Sequence, residues 1–387
     1  MTSRASSTPA GAQAAWPKLY DGQQRVLLAL LLHGERSRSS LADHVGLSRT
    51  SLTRISRELV GMGLVVEGES PEPSGRGRPA EMLRLNGDAA HFLGVKLTAD
   101  TLFTVVTDLS GAVVDRGSER LVGRGVREVV QQVGRVSAGL VAAGTLPVAV
   151  GVGIAGDVEY RSGRSVLRDS GHLEWDEVPL AELVTEATGL PTTVVNDVHA
   201  LAAAHHWFGG GIARDPLVVY AIGAGIGSGI VIKGEPVEGR HGRSGRVGHL
   251  RLGGDGRGCI HGHVDCVHSF VTIPSIEHNS GVGRGEYAVA LDRARRGDVR
   301  ALRAFRAAAY ALGAAVAESV NTVDPELLSL MGEGLAMLDL APDEFDRGLG
   351  EFLERVDPSE VVIERPPFDF SLYARGAAVA AERKLLS

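Results

Sequence analysis

Hydrophobic positions follow two different patterns along the chain, and the change lies near residue 90. Before it, apolar residues recur at helical spacing in three short segments and then form two short strands. From residue 92 onward, apolar runs such as 102–106 and 148–152 alternate with glycine turns and helical stretches such as 301–320. That alternation is typical of an α/β architecture. The pattern predicts a small helical head in front of a larger α/β body.

The first two helical segments of the head, 26–32 and 39–45, predict part of a helix-turn-helix. The small side chain of Ala42 lets two helices cross closely, and Gly46 tolerates the positive φ of a tight turn. Ser48 is suited to cap a third helix. The head is therefore predicted to be a winged helix-turn-helix domain.

The third helix is predicted to present one apolar and one basic face. Leu52, Ile55 and Leu59 recur at i, i+3 and i+7 and are expected to face the core. The other side is polar and rich in arginine, which suits base edges and phosphates in the major groove. The predicted DNA-contacting residues of this segment are Ser48, Arg49, Thr50, Thr53, Arg54 and Arg57. The alternative is an interaction domain that does not contact DNA.

Strands at 64–66 and 82–85 are expected to form a wing with a basic tip. The tip, Gly-Arg-Gly-Arg-Pro at 75–79, resembles the core of AT-hook peptides. Arg76 and Arg78 on glycine-rich backbone are suited to a narrow minor groove, where negative potential is enhanced. The alternative is a solvated basic hairpin without a groove to enter.

Composition and charge limit the class of protein. An apolar fraction of 44% in 387 residues is ample for more than one core. The sequence has no run of eighteen apolar residues and no signal-peptide pattern, and two clustered cysteines favour a reducing cytosol over a disulfide scaffold. Residues 1–87 hold 11 Lys+Arg and 8 Asp+Glu, whereas the remainder holds 29 and 39. A mildly basic head on an acidic body favours a cytoplasmic regulator that binds nucleic acid without membrane attachment.

Both cysteines of the chain lie in one short segment with several histidines. His249, Cys259, His261 and Cys266 occur at offsets 0, 10, 12 and 17, and thiolate with imidazole is the ligand set that Zn²⁺ prefers. A closed set of four leaves no position for water, so the predicted zinc is structural. His263 is a competing ligand, and the alternative is a metal-free loop with two free thiols.

Several segments, taken in order, resemble the ROK family of repressors, open reading frames and sugar kinases. They are 151–156 (Gly-Val-Gly-Ile-Ala-Gly), 172–175, 178–180, 195–197 (Val-Asn-Asp), 223–227, 245–249, the cysteine loop 259–266, 323–325 and 332–334. The resemblance implies an actin-like, ribonuclease H-like body of two lobes with a sugar cleft. The implied organisation is a disordered arm at 1–20, the winged domain at 21–88, a first lobe at 89–198 with the terminal helix 372–387, and a second lobe at 199–371 that carries the zinc loop.

The resemblance also provides a test for kinase activity. A ROK kinase uses an Asp-x-Gly-Gly-Thr loop, whose glycines admit the ATP phosphates and whose Asp helps to hold Mg²⁺. Here Lys96 stands where that Asp is expected, neither glycine is present, and Ala224 replaces the usual Thr of the second glycine loop. Asp197 resembles the catalytic base, but a base without phosphate loops does not restore catalysis. We therefore expect no enzymatic activity and no catalytic residue; the alternative is an active ATP-dependent sugar kinase fused to a DNA-binding domain.

The family's sugar-binding positions are partly retained. Asn196, Asp197 and His249 match the pattern, whereas Arg246 and His268 replace two glutamates. One hypothesis is an anionic effector, such as a sugar phosphate or an acidic sugar, held by Arg246. The alternative is a cleft that binds nothing, with Arg246 paired to a nearby carboxylate.

Together these features predict a ROK-type transcriptional regulator, a repressor that responds to a sugar or sugar phosphate. One recognition helix spans few base pairs, so a homodimer, or a dimer of dimers, on a two-fold double-stranded DNA operator is expected. A further alternative is an architectural DNA binder without a ligand, which uses the basic wing in A·T-rich minor grooves.

Overall fold

The computed structural model describes residues 16–69, 81–161, 164–254 and 256–386. The contacts divide the chain into two compact units. The first contains the described residues up to Val152, together with Pro179–Val194 and the chain from Ala377. The second contains Gly153–Val178 and Val195–Gly376. Among the described residues, we find no helix whose length and hydropathy would allow it to cross a membrane.

The first unit begins with three helices and a three-stranded antiparallel sheet. These elements are α1 (Asp21–His33), β1 (Arg36–Ser37), α2 (Arg38–Val45), α3 (Arg49–Gly61), β2 (Val65–Glu69) and β3 (Glu81–Leu85). The strand order is β1-β3-β2, so that the β2–β3 pair forms a wing. This arrangement confirms the predicted winged helix-turn-helix.

Local chemistry explains the boundaries of the helix-turn-helix. The Ser48 hydroxyl accepts a hydrogen bond from the Ser51 N–H at 3.1 Å and caps α3 as predicted, and Ser37 caps α2 in the same way. Gly46 ends α2 at φ +65°, where a β-carbon would be strained. Ala42, 1% exposed, lies inside the turn. The short-range sequence signals are therefore sufficient to form this motif.

The body follows a 3₁₀ turn at Gly87–Ala89. Its elements, in chain order, are β4 (His91–Leu97), β5 (Thr101–Asp108), β6 (Val113–Arg120), α4 (Val126–Ala142), β7 (Pro147–Ile154), β8 (Asp157–Arg161), β9 (Arg164–Ser170), β10 (Trp175–Val178), α5 (Leu180–Thr188), β11 (Thr192–Asn196), α6 (Asp197–Phe208), β12 (Leu217–Ile222), β13 (Ile226–Ile232), β14 (Glu235–Pro236), α7 (Val267–Val271), α8 (Ile273–Ser280), α9 (Tyr287–Arg295), α10 (Val299–Val323), β15 (Leu327–Met331), α11 (Met337–Leu340), α12 (Pro342–Phe352), a 3₁₀ turn at Pro358–Glu360, β16 (Ile363–Glu364) and α13 (Ser371–Leu386).

Two five-stranded sheets repeat one strand order. The orders are β11-β7-β4-β5-β6 and β16-β15-β12-β13-β14. In each sheet, three strands that are consecutive in the chain pair antiparallel. Two later strands then extend the sheet on the outer side of the first of these three. In the second sheet, β15 pairs parallel with β12, and β16 pairs parallel with β15. The repeated mixed sheets confirm the α/β class and agree with the two-lobed ribonuclease H-like expectation.

The sheet β10-β9-β8 lies in the second unit, whereas the sequence analysis placed all of 89–198 in the first lobe. These three strands pair only with one another among the named strands, so they do not extend the first five-stranded sheet. Side chains of β8 bond to a segment of the second unit: Asp157 pairs with Arg243, and Glu159 with His241. Those contacts explain why the segment groups with the second unit.

Helices α10 and α12 cross within the second unit at two glycines. A β-carbon on Gly313 would lie 2.1 Å from the Phe345 carbonyl oxygen, and one on Gly348 would lie 2.2 Å from the Tyr310 carbonyl oxygen. Only glycine permits so close an approach of two backbones. At the same crossing, the guanidinium group of Arg347 on α12 lies over the ring of Tyr310 on α10, 4.1 Å from its centroid.

Candidate functional site

The predicted DNA-contacting residues of α3 lie around one exposed side of the helix. Leu52, Ile55 and Leu59 are at most 2% exposed, as their spacing predicts. The opposite side consists of the exposed residues Ser48, Arg49, Thr50, Arg54 and Arg57 and the half-buried Thr53. Arg76 and Arg78 at the predicted wing tip lie outside the described residues. The helix therefore presents an exposed, arginine-rich surface on the side opposite its buried face.

Arg54 is held in a network that the sequence analysis did not foresee. Its guanidinium donates to Glu58 Oε1 at 2.8 Å and to the Tyr20 hydroxyl at 3.1 Å. That hydroxyl donates to Glu58 Oε2 at 2.6 Å, and this hydrogen bond lowers the pKa of Glu58. The spacing of Arg54 and Glu58 by four residues is a signal for such a pair. Arg54 therefore has two polar partners within the head, although its side chain is 62% exposed.

Four metal-ligating side chains converge in the second unit: His249, Cys259, His263 and Cys266, with ligand atoms within 4.8 Å of one another. His249 Nδ1 lies 3.1 Å from His263 Nδ1, 3.7 Å from Cys266 Sγ and 3.9 Å from Cys259 Sγ. Tetrahedral donors around Zn²⁺ lie about 3.3–3.8 Å apart, given bonds of about 2.0–2.1 Å to nitrogen and about 2.3 Å to sulfur. The group therefore has the donors and the spacing to hold one metal ion.

His263 completes this group in place of the predicted His261. The Cys259 N–H donates to the His263 carbonyl at 2.8 Å across a tight turn, in which Gly262 takes φ +79°. The two side chains lie on the same face of the turn, with Cys259 Sγ 3.6 Å from His263 Nδ1. His261 lies at the tip, where its N–H donates to Cys259 Sγ at 3.4 Å and its ring is edge-on to His249 at 5.0 Å. Pairing across the turn, which linear offsets do not reveal, decides between the two histidines.

Asp265 occupies a left-handed position of the same loop. Its φ is +51°, a conformation that aspartate tolerates better than most residues. The carboxylate accepts hydrogen bonds from the Gly256 N–H at 3.0 Å and the Arg257 N–H at 2.8 Å. These two bonds offset the backbone strain and fix the loop next to Cys266.

His268 lies behind the metal-ligating group and is 6% exposed. Its ring stacks on His249 with the centroids 5.6 Å apart. Burial, with a further contribution from the neighbouring histidines, lowers the pKa of His268 to about 4. Within the described residues its Nδ1 has no hydrogen-bond partner. The low pKa favours a neutral ring at pH 7, and its Nδ1 is a buried polar atom.

Arg246 makes an ion pair with Asp157, which is also bound by Arg243 Nε at 2.9 Å. The Arg246 side chain is 58% exposed, whereas that of Asp157 is 13% exposed. Arg246 also lies close enough to His249 for its charge to lower the pKa of that ring, after the larger effects of burial, His263 and His261. The cation at this position already has a carboxylate partner.

Asn196 and Asp197 begin helix α6. Asn196 Oδ1 caps the helix by accepting from the Val198 N–H at 2.9 Å, and Asn196 Nδ2 donates to the Gly156 carbonyl at 3.0 Å. Asp197 is 7% exposed. Its charge, after the larger effect of burial, raises the pKa of Tyr373. Both side chains are thus held in place by the start of α6.

The stretch that corresponds to the kinase phosphate loop is a tight hairpin between β4 and β5. The Thr98 N–H donates to the Thr101 carbonyl at 3.0 Å, and the Thr98 hydroxyl donates to the same oxygen at 3.0 Å. Lys96 on β4 is 4% exposed. The turn is closed by its own side chains and carries no glycine.

In the second unit, an acidic side chain lies against the second glycine loop. A β-carbon on Gly223 would lie 2.2 Å from Glu333 Oε1, and the Gly223 N–H donates to the Gly225 carbonyl at 2.9 Å. An anion beside this loop opposes the approach of a phosphate by like-charge repulsion. Glu333 lies in the segment 332–334, which carries part of the family resemblance, but that pattern does not predict its contact with the loop.

Comparison with known proteins matches residues 93–383 to the ROK family model. The chain is 27% identical over 348 residues to a putative xylose repressor of Caldicellulosiruptor sp. (strain Rt8B.4), which covers 83% of this chain and 85% of that protein. It is 26% identical over 263 residues to a glucokinase of Thermotoga maritima, which covers 63% and 82%. A solved ROK family transcriptional regulator, a homologue of the Escherichia coli MLC protein, superposes with a TM-score of 0.79 at 24% identity over 94% of this chain and 96% of that one. This last likeness concerns the fold alone.

Proposed function

The chain belongs to the ROK family, and from this premise we propose that it is a DNA-binding transcriptional repressor that responds to a sugar. The observation that carries the proposal is α3, which buries Leu52, Ile55 and Leu59 and presents arginines on its other side within a winged helix-turn-helix. The similarity to a putative xylose repressor along most of both chains supports it. A kinase alone has no use for such a helix.

Binding to double-stranded DNA is tested by replacing arginines on α3. Arg49→Ala and Arg57→Ala each remove one cation from the proposed DNA surface, and Arg135→Ala removes an exposed one from α4 as a matched control. Genomic footprinting with the wild-type protein first identifies a site. We expect each α3 variant to bind that site at least about tenfold more weakly and with a shallower salt dependence, since a guanidinium contact to a phosphate or base is worth about 1–3 kcal/mol. Equal binding by all three variants would refute the proposed surface.

We further propose that the regulator binds its operator as a homodimer or a dimer of dimers. One recognition helix contacts too few base pairs for a unique genomic site, so two helices on a two-fold operator are expected. Light scattering after size-exclusion chromatography measures the assembly, and the footprint reveals the symmetry of the site. A monomer that protects a site without two-fold symmetry would contradict this part of the proposal. Broad protection of A·T-rich DNA would favour an architectural role instead.

Phosphoryl transfer is proposed to be lost. Support comes from the buried Lys96 at the position of the expected Asp, from the closed hairpin at Thr98, and from Glu333 against Gly223. Positioning of the phosphates supplies most of the catalysis in this chemistry, so loss of the first phosphate loop, with Ala224 in place of Thr in the second, is expected to abolish it. The purified protein with ATP, Mg²⁺ and a panel of sugars should release no ADP above background. Sugar-dependent ADP release with turnover would establish the kinase instead.

The proposed effector is a neutral sugar bound near Asn196, Asp197, His249 and His268. The ion pair of Arg246 with Asp157 favours a neutral ligand over an anionic one, because an anion would have to compete with this carboxylate for the guanidinium group. Thermal-shift measurements should therefore show a rise in melting temperature with a neutral sugar such as xylose. We expect that rise to be abolished in Asp197→Ala and retained in Arg246→Ala. A rise caused only by sugar phosphates, and lost in Arg246→Ala, would show that the effector is anionic.

We propose that the metal is a structural Zn²⁺ held by His249, Cys259, His263 and Cys266. Zinc accepts two thiolates and two imidazoles in a closed tetrahedral set, and such a set stabilises the loop that carries it. His249 faces the group with Nδ1, which leaves Nε2 for a sugar hydroxyl. Metal analysis after purification without chelators should give about one zinc per chain. A content well below that would refute the site.

A further inference from the structure

Arg54, on the exposed side of α3, uses only one end of its guanidinium group for contacts within the head. It lies one helical turn after Thr50, which is exposed on the same side. Both hydrogen bonds of Arg54 start from Nη1, one to Glu58 Oε1 at 2.8 Å and one to the Tyr20 hydroxyl at 3.1 Å. Within the described residues, its Nε and Nη2 atoms donate no hydrogen bond. These two atoms direct their N–H groups to the same side, so a complete fork of two donors remains for a ligand.

Tyr20 and Gln23, at the start of α1, hold the carboxylate that binds Arg54. The Tyr20 hydroxyl donates to Glu58 Oε2 at 2.6 Å, and Gln23 Nε2 donates to the same oxygen at 3.0 Å. The guanidinium carbon of Arg54 also lies over the Tyr20 ring, 5.8 Å from its centroid. An isolated pair at i and i+4 on a helix surface is weak and leaves its side chains mobile. Here the contacts from α1 fix Glu58 and thereby the orientation of Arg54.

The charge of Glu58 decides which acceptor suits the free fork of Arg54. In the major groove, guanine offers its O6 and N7 atoms as a pair of acceptors and has no net charge. A DNA phosphate also offers two acceptors, but it is an anion. A phosphate on Arg54 would lie close to the Glu58 carboxylate, and like-charge repulsion would oppose its approach. The arrangement therefore favours a neutral base over the DNA backbone.

We propose that Arg54 binds the O6 and N7 atoms of one guanine in each DNA half-site, and that Glu58 and Tyr20 are positioning residues that restrict it to this base. The inference rests on the DNA-binding function proposed above and specifies what the surface of α3 reads. Arg54 donates from Nε and Nη2, Glu58 holds its Nη1, and Tyr20 holds Glu58. A residue that precedes the first helix thus contributes to sequence selectivity through Arg54.

The test begins with selection by the full-length protein from a pool of double-stranded DNA of randomised sequence. The wild-type protein should select guanine at one position of each half-site. Replacement of that G·C pair by A·T should weaken wild-type binding about tenfold or more, because a bidentate contact discriminates strongly against other bases. Arg54→Ala should bind the two sequences almost equally, since it lacks the fork.

Tyr20→Phe and Glu58→Gln test the positioning role. Tyr20→Phe keeps the ring and removes the hydroxyl, so the preference for guanine should fall by a few-fold while preferences at all other positions remain. Glu58→Gln keeps an acceptor for Nη1 without the charge, so a phosphate can approach Arg54. We expect a lower guanine preference and a plot of log affinity against log salt that is steeper by up to about 1. A purely structural role would instead weaken binding to all sequences alike.

Arg57→Ala is the matched control, because it removes another exposed cation from the same helix. It should weaken binding to both sequences in proportion and retain the guanine preference. Melting curves establish that each variant is folded.

The outcomes separate this inference from the function on which it rests. An unchanged guanine preference in Arg54→Ala, or an equal loss of it in Arg57→Ala, would overturn the role of Arg54 while DNA binding stands. A guanine preference that stays at the wild-type level in both Tyr20→Phe and Glu58→Gln would overturn the positioning role. If the wild-type protein selects no sequence from the pool, the proposed DNA-binding function fails and the inference fails with it.

Discussion

The helix α3 and the metal loop (residues 249–266) obtain their geometry from different ranges of the sequence. In α3, an apolar face recurs every three to four residues, and the cap is a serine three residues from its donor. In the metal loop, the four ligands are gathered from both ends of the segment, and the turn depends on Gly262 and Asp265 at positive φ. The geometry of α3 is therefore determined by many small contributions, whereas the geometry of the loop depends on a few residues that are all required together.

This difference has a consequence for function. The exposed side chains of α3 can change without affecting the fold, because the buried face alone positions the helix. The four side chains proposed to hold the metal have no such freedom, since each would both bind the ion and stabilise the loop. Substitutions should therefore separate binding from stability in α3 and should affect both together in the loop.

The largest effect is expected at the histidine that distinguishes the two arrangements of the metal loop. His263→Ala removes a ligand whose Nδ1 lies 3.1 Å from His249 Nδ1, so three donors remain. We expect the zinc content to fall from about one per chain to well under half of that, with a lower melting temperature, since structural zinc contributes directly to folding. Inductively coupled plasma mass spectrometry and calorimetry measure the two quantities.

His261→Ala is the matched control, because it removes a neighbouring imidazole that lies outside the group. It should retain the metal, since its contribution to the site is the N–H bond to Cys259 Sγ, which alanine keeps. The opposite result, with metal lost in His261→Ala and kept in His263→Ala, would restore the ligand set that the linear spacing predicted.

The second largest effect is expected in the core of the head. Leu52 is fully buried, so Leu52→Ala should destabilise the helix-turn-helix by about 2–5 kcal/mol. Hydrogen exchange of the α3 amides in the full-length protein measures this, and operator binding should weaken in parallel. The metal ligands all lie in the second unit, so the zinc content should stay at that of the wild type. A variant that loses zinc as well would show that the two regions are energetically coupled.

The sequence predicts the buried face of α3 correctly but not the histidine that completes the metal loop, and the reason is physical. The period of Leu52, Ile55 and Leu59, together with the cap at Ser48, is local information and determines the helix and its buried face. The pairing of Cys259 with His263 depends on how the backbone turns between them, which residue types do not specify. Likewise, the ion pair of Arg246 with Asp157 joins positions 89 residues apart, so the sequence could offer a carboxylate partner only as an alternative.

The segment 153–178 shows the same limit on the scale of a domain. Alternating apolar residues suffice to predict strands, but they do not specify to which sheet a strand belongs. The family resemblance supplied the order of the lobes, and the side-chain contacts of Asp157 and Glu159 then place this segment with the second unit.

An intermediate effect is expected at Asp265, where strain and hydrogen bonding act together. Asp265→Ala keeps φ near +51° with a β-carbon and removes the acceptors of two N–H groups. We expect a loss of about 1–3 kcal/mol and weaker zinc retention under a chelator. Asp265→Asn keeps one acceptor and tolerates the same φ, so its stability and zinc retention should lie between those of the wild type and of Asp265→Ala. If alanine and asparagine behave like the wild type, the loop geometry is determined by the metal alone.

The smallest effect is expected at the cap of α3. Ser48→Ala removes the acceptor of the Ser51 N–H and should cost about 1 kcal/mol, with faster hydrogen exchange confined to the first turn of the helix. Ser37→Ala removes the corresponding cap of α2 and is the control, because α2 carries none of the proposed DNA-contacting residues. If α3 is positioned by its buried face, Ser48→Ala should weaken operator binding slightly more than Ser37→Ala and leave the rest of the helix protected. Loss of protection along the whole of α3 would instead mean that this helix depends on single residues, as the metal loop does.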